Sequence, residues 1–283
     1  MLYNLPLILE GGGMRGLYTC GVLDFFMDNS IYFKDIYGVS AGACHGCSYV
    51  SKQRGRALAT SVKYVGDKNY CSIYSLIKTG DLFNVKMLYD EIPNHLEPFD
   101  FDTWNKSESR LYSVVCNCRT GKAEYRLLGD MKKDIIWVRA SASLPLVSRM
   151  VEIDGEKYLD GGIADSIPVK KALESGYDKA VIVLTQPKGY RKSHSSAMPL
   201  IRMKYRKYPE LVKAMENRHI VYNETAEFIE KMEDEGRAFV LRPEKSPDFA
   251  RIEKDPKKLN ALYEEGLKDA EKSFQALEKF LAK

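Results

Sequence analysis

The feature that most constrains this chain is a pattern repeated near its start: a short apolar run breaks on glycine or serine, and a helix-length segment follows. Leu5–Glu10 (LPLILE) runs into Gly11-Gly12-Gly13, and Leu17–Asp28 then offers Leu17, Val22, Phe25 and Phe26 to a core. Asp35–Val39 (DIYGV) is a second run, followed by the small-residue stretch Ala41–Val50. Apolar runs this short read as buried strands and the longer segments behind them as helices. The order strand–helix–strand–helix predicts a mostly parallel sheet covered by helices.

At 283 residues, and at ~100–200 residues per domain, the chain has room for one large α/β domain or two small ones. Hydrophobic residues make up 45% and charged residues 29%, which excludes a disordered or collagen-like chain. No apolar run approaches the ~20 residues of a membrane span. The start lacks a basic region followed by an apolar stretch and a small-residue cleavage site, so no secretory signal is expected. Six cysteines without such a signal point to free thiols in a reducing compartment, hence a cytoplasmic location. A net charge of +4 is too mild to suggest nucleic acid as a partner.

Further along, helices are expected near Arg56–Val65 and Asn84–Asp90, with loops around Pro93 and Pro98. Leu111–Cys118 and Ala123–Leu127 flank Thr120-Gly121, a hairpin signal. Met131–Ser141 reads as a helix that stops before Pro145. Val151–Ile153 and Lys157–Leu159 flank Asp154-Gly155, which suits a type I′ turn because both central residues tolerate positive φ. Lys179–Leu184 reads as a buried strand, Ala238–Leu241 as a last short one, and Asp255 through Leu281 as one long amphipathic helix.

Three motifs carry chemistry. Gly11-Gly12-Gly13-Met14-Arg15-Gly16 lies between a strand and a helix. Its glycines let the backbone approach a ligand and aim several N–H groups at one point, ahead of a helix N-terminus that favours negative charge. Such a loop can hold a phosphate or the oxyanion of acyl transfer. It also satisfies G-x-G-x-x-G, so a dinucleotide-binding oxidoreductase is one alternative. That fingerprint wants an acid at the end of the second strand; Asp35 stands before that strand, and a serine ends it. A tight strand–helix turn without a ligand is the lesser alternative for the glycines alone.

That serine is central to the second motif, Gly38-Val39-Ser40-Ala41-Gly42. A G-x-S-x-G between strand and helix is the context of a nucleophile elbow, although a serine helix cap packed by glycines fits the same letters. A serine nucleophile needs a base. His194 and His219 lie in the order a hydrolase triad would use; His45 reads as a packing or surface residue, and His95 is the fourth histidine. The third motif, Asp160-Gly161-Gly162, ends the strand after the Asp154-Gly155 turn and leaves the aspartate with open backbone around it. By itself it reads more readily as a strand-ending turn.

The order G-G-G-x-R-G, G-x-S-x-G, D-G-G resembles the patatin-like phospholipase family, over roughly Leu5 to Thr185. Arg139-Ala140-Ser141-Ala142-Ser143-Leu144-Pro145 also resembles the segment this family places before its aspartate. Many members read D-G-A where this chain has D-G-G. The resemblance implies a three-layer α/β/α fold with a mixed central sheet and a Ser–Asp dyad without histidine. Ser40 would be the nucleophile and Asp160 the base. The backbone of Gly11, Gly12 and Gly13 would form the oxyanion hole, with Arg15 in the family's basic position. No cofactor is implied. A catalytic domain over residues 1–188 and a charged, mainly helical C-terminal extension over 189–283 are expected. The implied function is hydrolysis of lipid esters, phospholipid or lysophospholipid foremost; a non-catalytic lipid-binding protein on the same fold is the other alternative. In the dyad reading Asp160 takes the Ser40 proton and returns it to the leaving alcohol, while each oxyanion donor lowers the barrier by ~3 kcal/mol.

Cys44, Cys47, Cys116 and Cys118 could be pictured as a zinc site, but small buried thiols fit their positions better, and no metal is expected. Gln186–Ile220 carries Lys188, Arg191, Lys192, Arg202, Lys204, Arg206, Lys207, Lys213 and Arg218 against Glu210 and Glu216, interleaved with Met198, Leu200, Met203 and tyrosines. Within it, Arg191–Lys207 is a candidate for peripheral contact with an anionic membrane surface; an ordinary solvated basic face is the alternative.

Overall fold

A computed structural model describes residues 1–249 and 252–282. In chain order the elements are β1 (Leu2–Leu9), α1 (Leu17–Asp28), β2 (Tyr32–Val39), α2 (Ala41–Val50), α3 (Arg56–Val62), α4 (Ile73–Thr79), α5 (Phe101–Lys106), β3 (Arg110–Asn117), β4 (Ala123–Leu127), α6 (Met131–Ser141), β5 (Val151–Ile153), β6 (Glu156–Asp160), α7 (Val169–Glu174), β7 (Ala180–Val183), α8 (Met198–Lys204), α9 (Pro209–Asp234), β8 (Ala238–Leu241), α10 (Pro256–Lys272) and α11 (Phe274–Leu281).

The strands form one mixed sheet of eight in the order β5-β6-β3-β2-β1-β7-β8, with β4 also on β3. The β1, β2, β3, β7 and β8 pairings are parallel; β4 and β6 pair antiparallel to β3, and β5 to β6. Successive side chains of β1 feed opposite layers. Leu7 and Leu9 pack with Leu17, Phe26 and Leu262, whereas Ile8 packs with Ile182, Tyr222 and Ile229. A strand covered on both faces must be apolar throughout, which explains the run LPLIL. Helices on both sides make the three-layer α/β/α arrangement.

Residues beyond 188 are built into this body. β8 extends the sheet from β7. α10 crosses α1 so closely that a Cβ on Gly21 would overlap the Tyr263 carbonyl oxygen, and one on Gly266 that of Tyr18. Tyr18 Oη donates to Asp269 (2.9 Å) and Tyr263 Oη to Asp24 (2.9 Å), fastening the crossing from both sides. No helix among the described residues is long and apolar enough to cross a membrane.

The Asp154-Gly155 turn has φ of 51° and 79°, both positive as a type I′ hairpin requires. Two helix expectations need correction. The single helix over Asp255–Leu281 is two, α10 and α11, broken at Ser273, whose hydroxyl bonds the Asp269 carbonyl. The helix expected at Asn84–Asp90 is a π-helical turn over Met87–Leu96 that runs through Pro93. Widening lets the chain pass a residue that lacks an N–H and would crowd the preceding turn of an α-helix.

Asp35, expected before the second strand, in fact lies inside β2, which starts three residues earlier, and it is paired to Arg110 through two hydrogen bonds (2.6 and 2.7 Å) and accepts from Tyr177 Oη (2.7 Å). A carboxylate so engaged is not presented to a ribose, which removes the acid the dinucleotide alternative would need.

Candidate active site

The site follows from strand register. Val39, the last residue of β2, pairs with Val114 of β3. β4 takes the other edge of β3, so β6 continues where β2 stops, and Asp160 pairs with Val115. Ser40 and Asp160, distant in sequence, thus meet at the seam between two strands that share one edge. Ser40 Oγ donates to Asp160 Oδ2 at 2.7 Å, and both residues are buried.

Ser40 holds φ 55° and ψ −120°, a backbone conformation that costs a non-glycine residue about 1–3 kcal/mol. Its neighbours hold it there. The Ser40 N–H donates to Ser141 Oγ (2.8 Å) at the end of α6. Gly38 and Gly42 leave no room for a side chain: a Cβ on Gly38 would lie 2.7 Å from the Ala43 nitrogen, and one on Gly42 would overlap the Leu9 carbonyl. The turn raises the hydroxyl off the end of the sheet, with the N-terminus of α2 behind it.

Asp160 is fixed as firmly. Its N–H donates to the Ser143 carbonyl (2.9 Å), and its Oδ1 accepts from the Gly162 N–H (2.8 Å), leaving Oδ2 for the serine. Gly161 presses on β3, where a Cβ would overlap the Val114 carbonyl oxygen. Arg218 of α9 donates through Nε to the Gly162 carbonyl, bracing the turn from the far layer.

The glycine loop lies beside the serine. A Cβ on Gly11 would sit 3.0 Å from Ser40 Cβ, and one on Gly12 2.8 Å from Thr185 Oγ1. Gly13 has φ 61°, which turns the loop away from the line of β1. Among the described residues no acceptor engages the N–H groups of Gly11, Gly12 or Gly13. Glu10, buried just before them, accepts from the Thr185 N–H (2.6 Å) and hydroxyl (3.1 Å) and from Tyr222 Oη (2.8 Å), locking the loop's root to β7 and α9. Met14 faces the same cavity as Ser40. Arg15 and Gly16 turn elsewhere: Arg15 reaches the Phe249 carbonyl (3.4 Å), and Gly16 packs against Ala41 and His45.

A cavity of about 180 Å³ opens at Ser40 between the glycine loop and α6. Leu17, Tyr70, Phe83, Leu88, Tyr89 and Phe99 give it apolar walls. His45 also lines it, with Nε2 buried and unbonded among the described residues, and burial holds this imidazole down to about 4, so it is neutral at pH 7. The thiol of Cys44, facing the same space, is pushed up to about 12 by burial. Cys116 and Cys118 lie apart, packed with Leu159 and Met198. His194 and His219 stack edge to face on each other, 5.3 Å between ring centres, and His219 Nδ1 meets the Glu216 carbonyl.

Sequence reasoning missed Glu10, Arg218 and Tyr222. Their signal is tertiary: Arg218 and Tyr222 reach the site's supports from α9, Glu10 joins the end of β1 to Thr185 and Tyr222, and no local pattern marks these contacts. Ser141 and Ser143 lay within a segment already singled out, but their hydrogen bonds to Ser40 and Asp160 depend on how α6 is aimed.

A family model described as patatin-like phospholipase matches residues 7–173. The chain belongs to the patatin-like phospholipase family. This makes the protein a lipid ester hydrolase by family, and its eight-stranded mixed sheet is consistent with the patatin-like fold. A second family model, described as a domain of unknown function (DUF6363), matches residues 208–282, from the start of α9 to the end of α11. Among curated proteins the patatin-like chain is 29% identical over 262 residues to the uncharacterized protein YjjU of Escherichia coli, covering 86% of this chain and 69% of that one. It is 27% identical over 215 residues to lysophospholipase NTE1 of Coccidioides immitis, covering 70% of this chain and 13% of that one. With lysophospholipase NTE1 of Candida albicans the identity is 23% over 290 residues, 95% of this chain and 20% of that one. The chain therefore spans only a small part of these two lysophospholipases.

Proposed function

We propose that the protein is a serine acyl hydrolase that cleaves a carboxylic ester of a phospholipid or lysophospholipid through the dyad Ser40–Asp160. The observation that carries this reading is the 2.7 Å hydrogen bond from Ser40 Oγ to Asp160, made on a strained elbow at the mouth of an apolar cavity. Asp160 takes the hydroxyl proton as Ser40 Oγ attacks the ester carbonyl, so a carbon–oxygen bond forms while the carboxylate becomes a carboxylic acid. The carbonyl oxygen gains negative charge beside the N–H groups of Gly11, Gly12 and Gly13, which stabilise it without reorganising. Collapse expels the alcohol, which takes the proton from Asp160. Water then repeats the sequence on the acyl-serine, with Asp160 again as base, and frees the fatty acid.

An aspartate is a weak base and its conjugate acid a modest proton donor. An alcohol leaving group suits it better than an amine, which favours esters over amides. The apolar cavity next to Ser40 fits an acyl chain rather than a polar substituent. The lysophospholipase names of two relatives point to the same substrate class. The unpaired cysteines suit a reducing, cytoplasmic setting.

Peripheral contact with an anionic membrane surface through Arg191–Lys207 belongs to this proposal. Within that segment α8 turns Leu200 and Met203 to solvent beside Arg202 and Lys204, with Arg206 and Lys207 exposed just after it. Arg191 is paired with Glu230 and Glu227 of α9 and Arg202 with Glu216, while Lys192 lies over the Tyr222 ring and Lys204 Nζ donates to the Leu146 carbonyl. The exposed end of the segment, residues 200–207, is the part we propose meets the membrane.

The test is turnover of lysophosphatidylcholine and of a short soluble ester by wild type and Ser40→Ala, with fatty acid release as the readout. Wild type should cleave both and Ser40→Ala neither. Equal turnover by the two proteins would end the assignment.

A further inference from the structure

The short helix α4 carries an apolar crown that nothing among the described residues covers. Ile73 is 72% exposed and Ile77 82%, with Tyr74 between them 45% exposed. Ile73 and Ile77 lie four residues apart and Tyr74 and Ile77 three, the spacings that make neighbours on a helix surface, so these side chains form a single patch. Isoleucine is among the most consistently buried residue types, and two of them side by side in water mark a surface meant to meet another.

The crown stands on a firm base. Ser72 caps the helix by accepting from the Ser75 N–H (2.9 Å), and Gly80 ends it at φ 81°. Cys71 and Phe83 pair across the base, and the Leu82 N–H donates to the Val147 carbonyl (2.8 Å). Asp81 accepts from the backbone and side chain of Arg149, both at 2.8 Å. Tyr70 and Phe83, on either side of α4, turn inward and line the cavity that opens at Ser40. One hairpin-like stub thus has its inner end in the wall of the site and its outer end in solvent.

The crown is also cationic. Lys68 and Lys78 both place Nζ over the Tyr74 ring, 5.3 and 5.5 Å from its centre. Isoleucine tips, a tyrosine at mid-height and flexible lysines around it match what a lipid interface requires. The apolar tips enter the acyl layer, the aromatic sits at head-group level, and the ammonium groups reach anionic head groups. Neighbouring structure points the same way. The strip Leu144–Arg149 lines the cavity with Leu144, holds α8 through Tyr205 Oη to the Leu146 N–H (2.9 Å), and holds the α4 stub through Val147. The α4 stub and Tyr205, which follows α8, are therefore both tied to the strip whose first residue, Leu144, lines the site.

We propose that α4 is the membrane-inserting element of this protein: Ile73 and Ile77 enter the lipid and Lys68 and Lys78 bind anionic head groups, which brings the cavity mouth to the surface that holds its substrate. The inference rests on the lipid-ester reading above and adds to it a binding element outside Arg191–Lys207.

The test uses the full chain and vesicles of phosphatidylcholine with phosphatidylglycerol. Cosedimentation should show that Ile73→Ser/Ile77→Ser binds about 100-fold more weakly than wild type, from the apolar area withdrawn from lipid. Hydrolysis of lysophospholipid carried in the vesicles should fall in parallel, while kcat/KM on a short soluble ester stays within about twofold. Lys68→Glu/Lys78→Glu should lose binding only where the vesicles contain the anionic lipid. Neither pair lines the cavity, so the soluble-ester rate also verifies folding. Vesicle binding unchanged in both double variants would overturn the inference. So would a wild-type dimer, seen by sedimentation, that the isoleucine changes dissolve, since the crown would then face a second copy. Failure of the underlying reading looks different: wild type would cleave neither ester, whatever its vesicle binding.

Discussion

Val39 and Asp160 occupy successive positions along one edge of β3, paired with Val114 and Val115 respectively. Because Ser40 follows Val39 directly, this register alone brings a serine hydroxyl and a carboxylate within hydrogen-bond reach. The sheet's change from parallel to antiparallel pairing is thus the device that assembles the site. A uniformly parallel sheet would carry β2's neighbour along the whole of β3 and leave no seam.

The seam makes Gly161 sensitive to the smallest change. A Cβ there overlaps the Val114 carbonyl oxygen, which is backbone and cannot move aside. Gly161→Ala should lower stability by about 1–3 kcal/mol and displace Asp160, with ester hydrolysis down at least tenfold. Gly155→Ala is the control: its site is open and its only cost is the positive φ of 79°. Thermal melts and initial rates of the two variants check this, and equal activity in both would contradict the seam's role.

Arg218 donates to the Gly162 carbonyl and does not line the cavity at Ser40, so a positioning role is expected of it. Arg218→Met should leave KM for a soluble ester near wild type and reduce kcat by roughly tenfold, in keeping with the cost of misplacing a proton acceptor. Arg218→Lys should restore part of the loss. A KM effect without a kcat effect would mean that Arg218 binds substrate instead.

His45 links stability to pH. Burial holds it down to about 4, against 6.5 in the unfolded chain. The folded state therefore binds this proton less readily than the unfolded state. The stability His45 contributes is present above pH 6.5, is lost as pH falls through the window from 6.5 to about 4, and amounts to roughly 2–4 kcal/mol. Urea denaturation of wild type and His45→Gln at pH 7.5, 6 and 5 should show the steeper decline in wild type. Parallel declines would show that the imidazole is not kept neutral by burial.

The basic segment predicts a salt effect. Each Lys or Arg near an anionic leaflet contributes about 1 kcal/mol, attenuated beyond a Debye length of ~8 Å at physiological salt. Reversing Arg202, Lys204, Arg206 and Lys207 to Glu should weaken binding to anionic vesicles strongly and leave short-ester hydrolysis nearly unchanged. High salt on wild type should reproduce the vesicle effect. Binding indifferent to both would make the segment a solvated face.

Much of this arrangement was legible in the residues. Positive-φ turns announce themselves, as Asp154-Gly155 did, because few residue types tolerate them. The buried strands β1 and β7 were plain from their apolar runs, and the order of the glycine loop, the serine elbow and the aspartate turn carried the family. What escaped was set by distant contacts. α9 begins with a proline and alternates charge with scattered apolar residues, so its core face appears only when Tyr222, Ile229 and Met232 meet β1 and β7. α4 is short, and its isoleucines face outward against every burial rule. The break between α10 and α11 depends on the Ser273 hydroxyl bonding back to the Asp269 carbonyl, a choice a serine in a helical pattern does not disclose.

The central claim is that Ser40 is activated by Asp160 and by no histidine. The most direct measurement is the rate at which a fluorophosphonate modifies the protein, with the site located by peptide mass spectrometry, in wild type, Asp160→Asn and His219→Ala. Modification should map to Ser40 in wild type, slow by on the order of 10³-fold or more in Asp160→Asn, and stay near the wild-type rate in His219→Ala. A modified serine other than Ser40, or a His219→Ala rate as low as that of Asp160→Asn, would contradict the account.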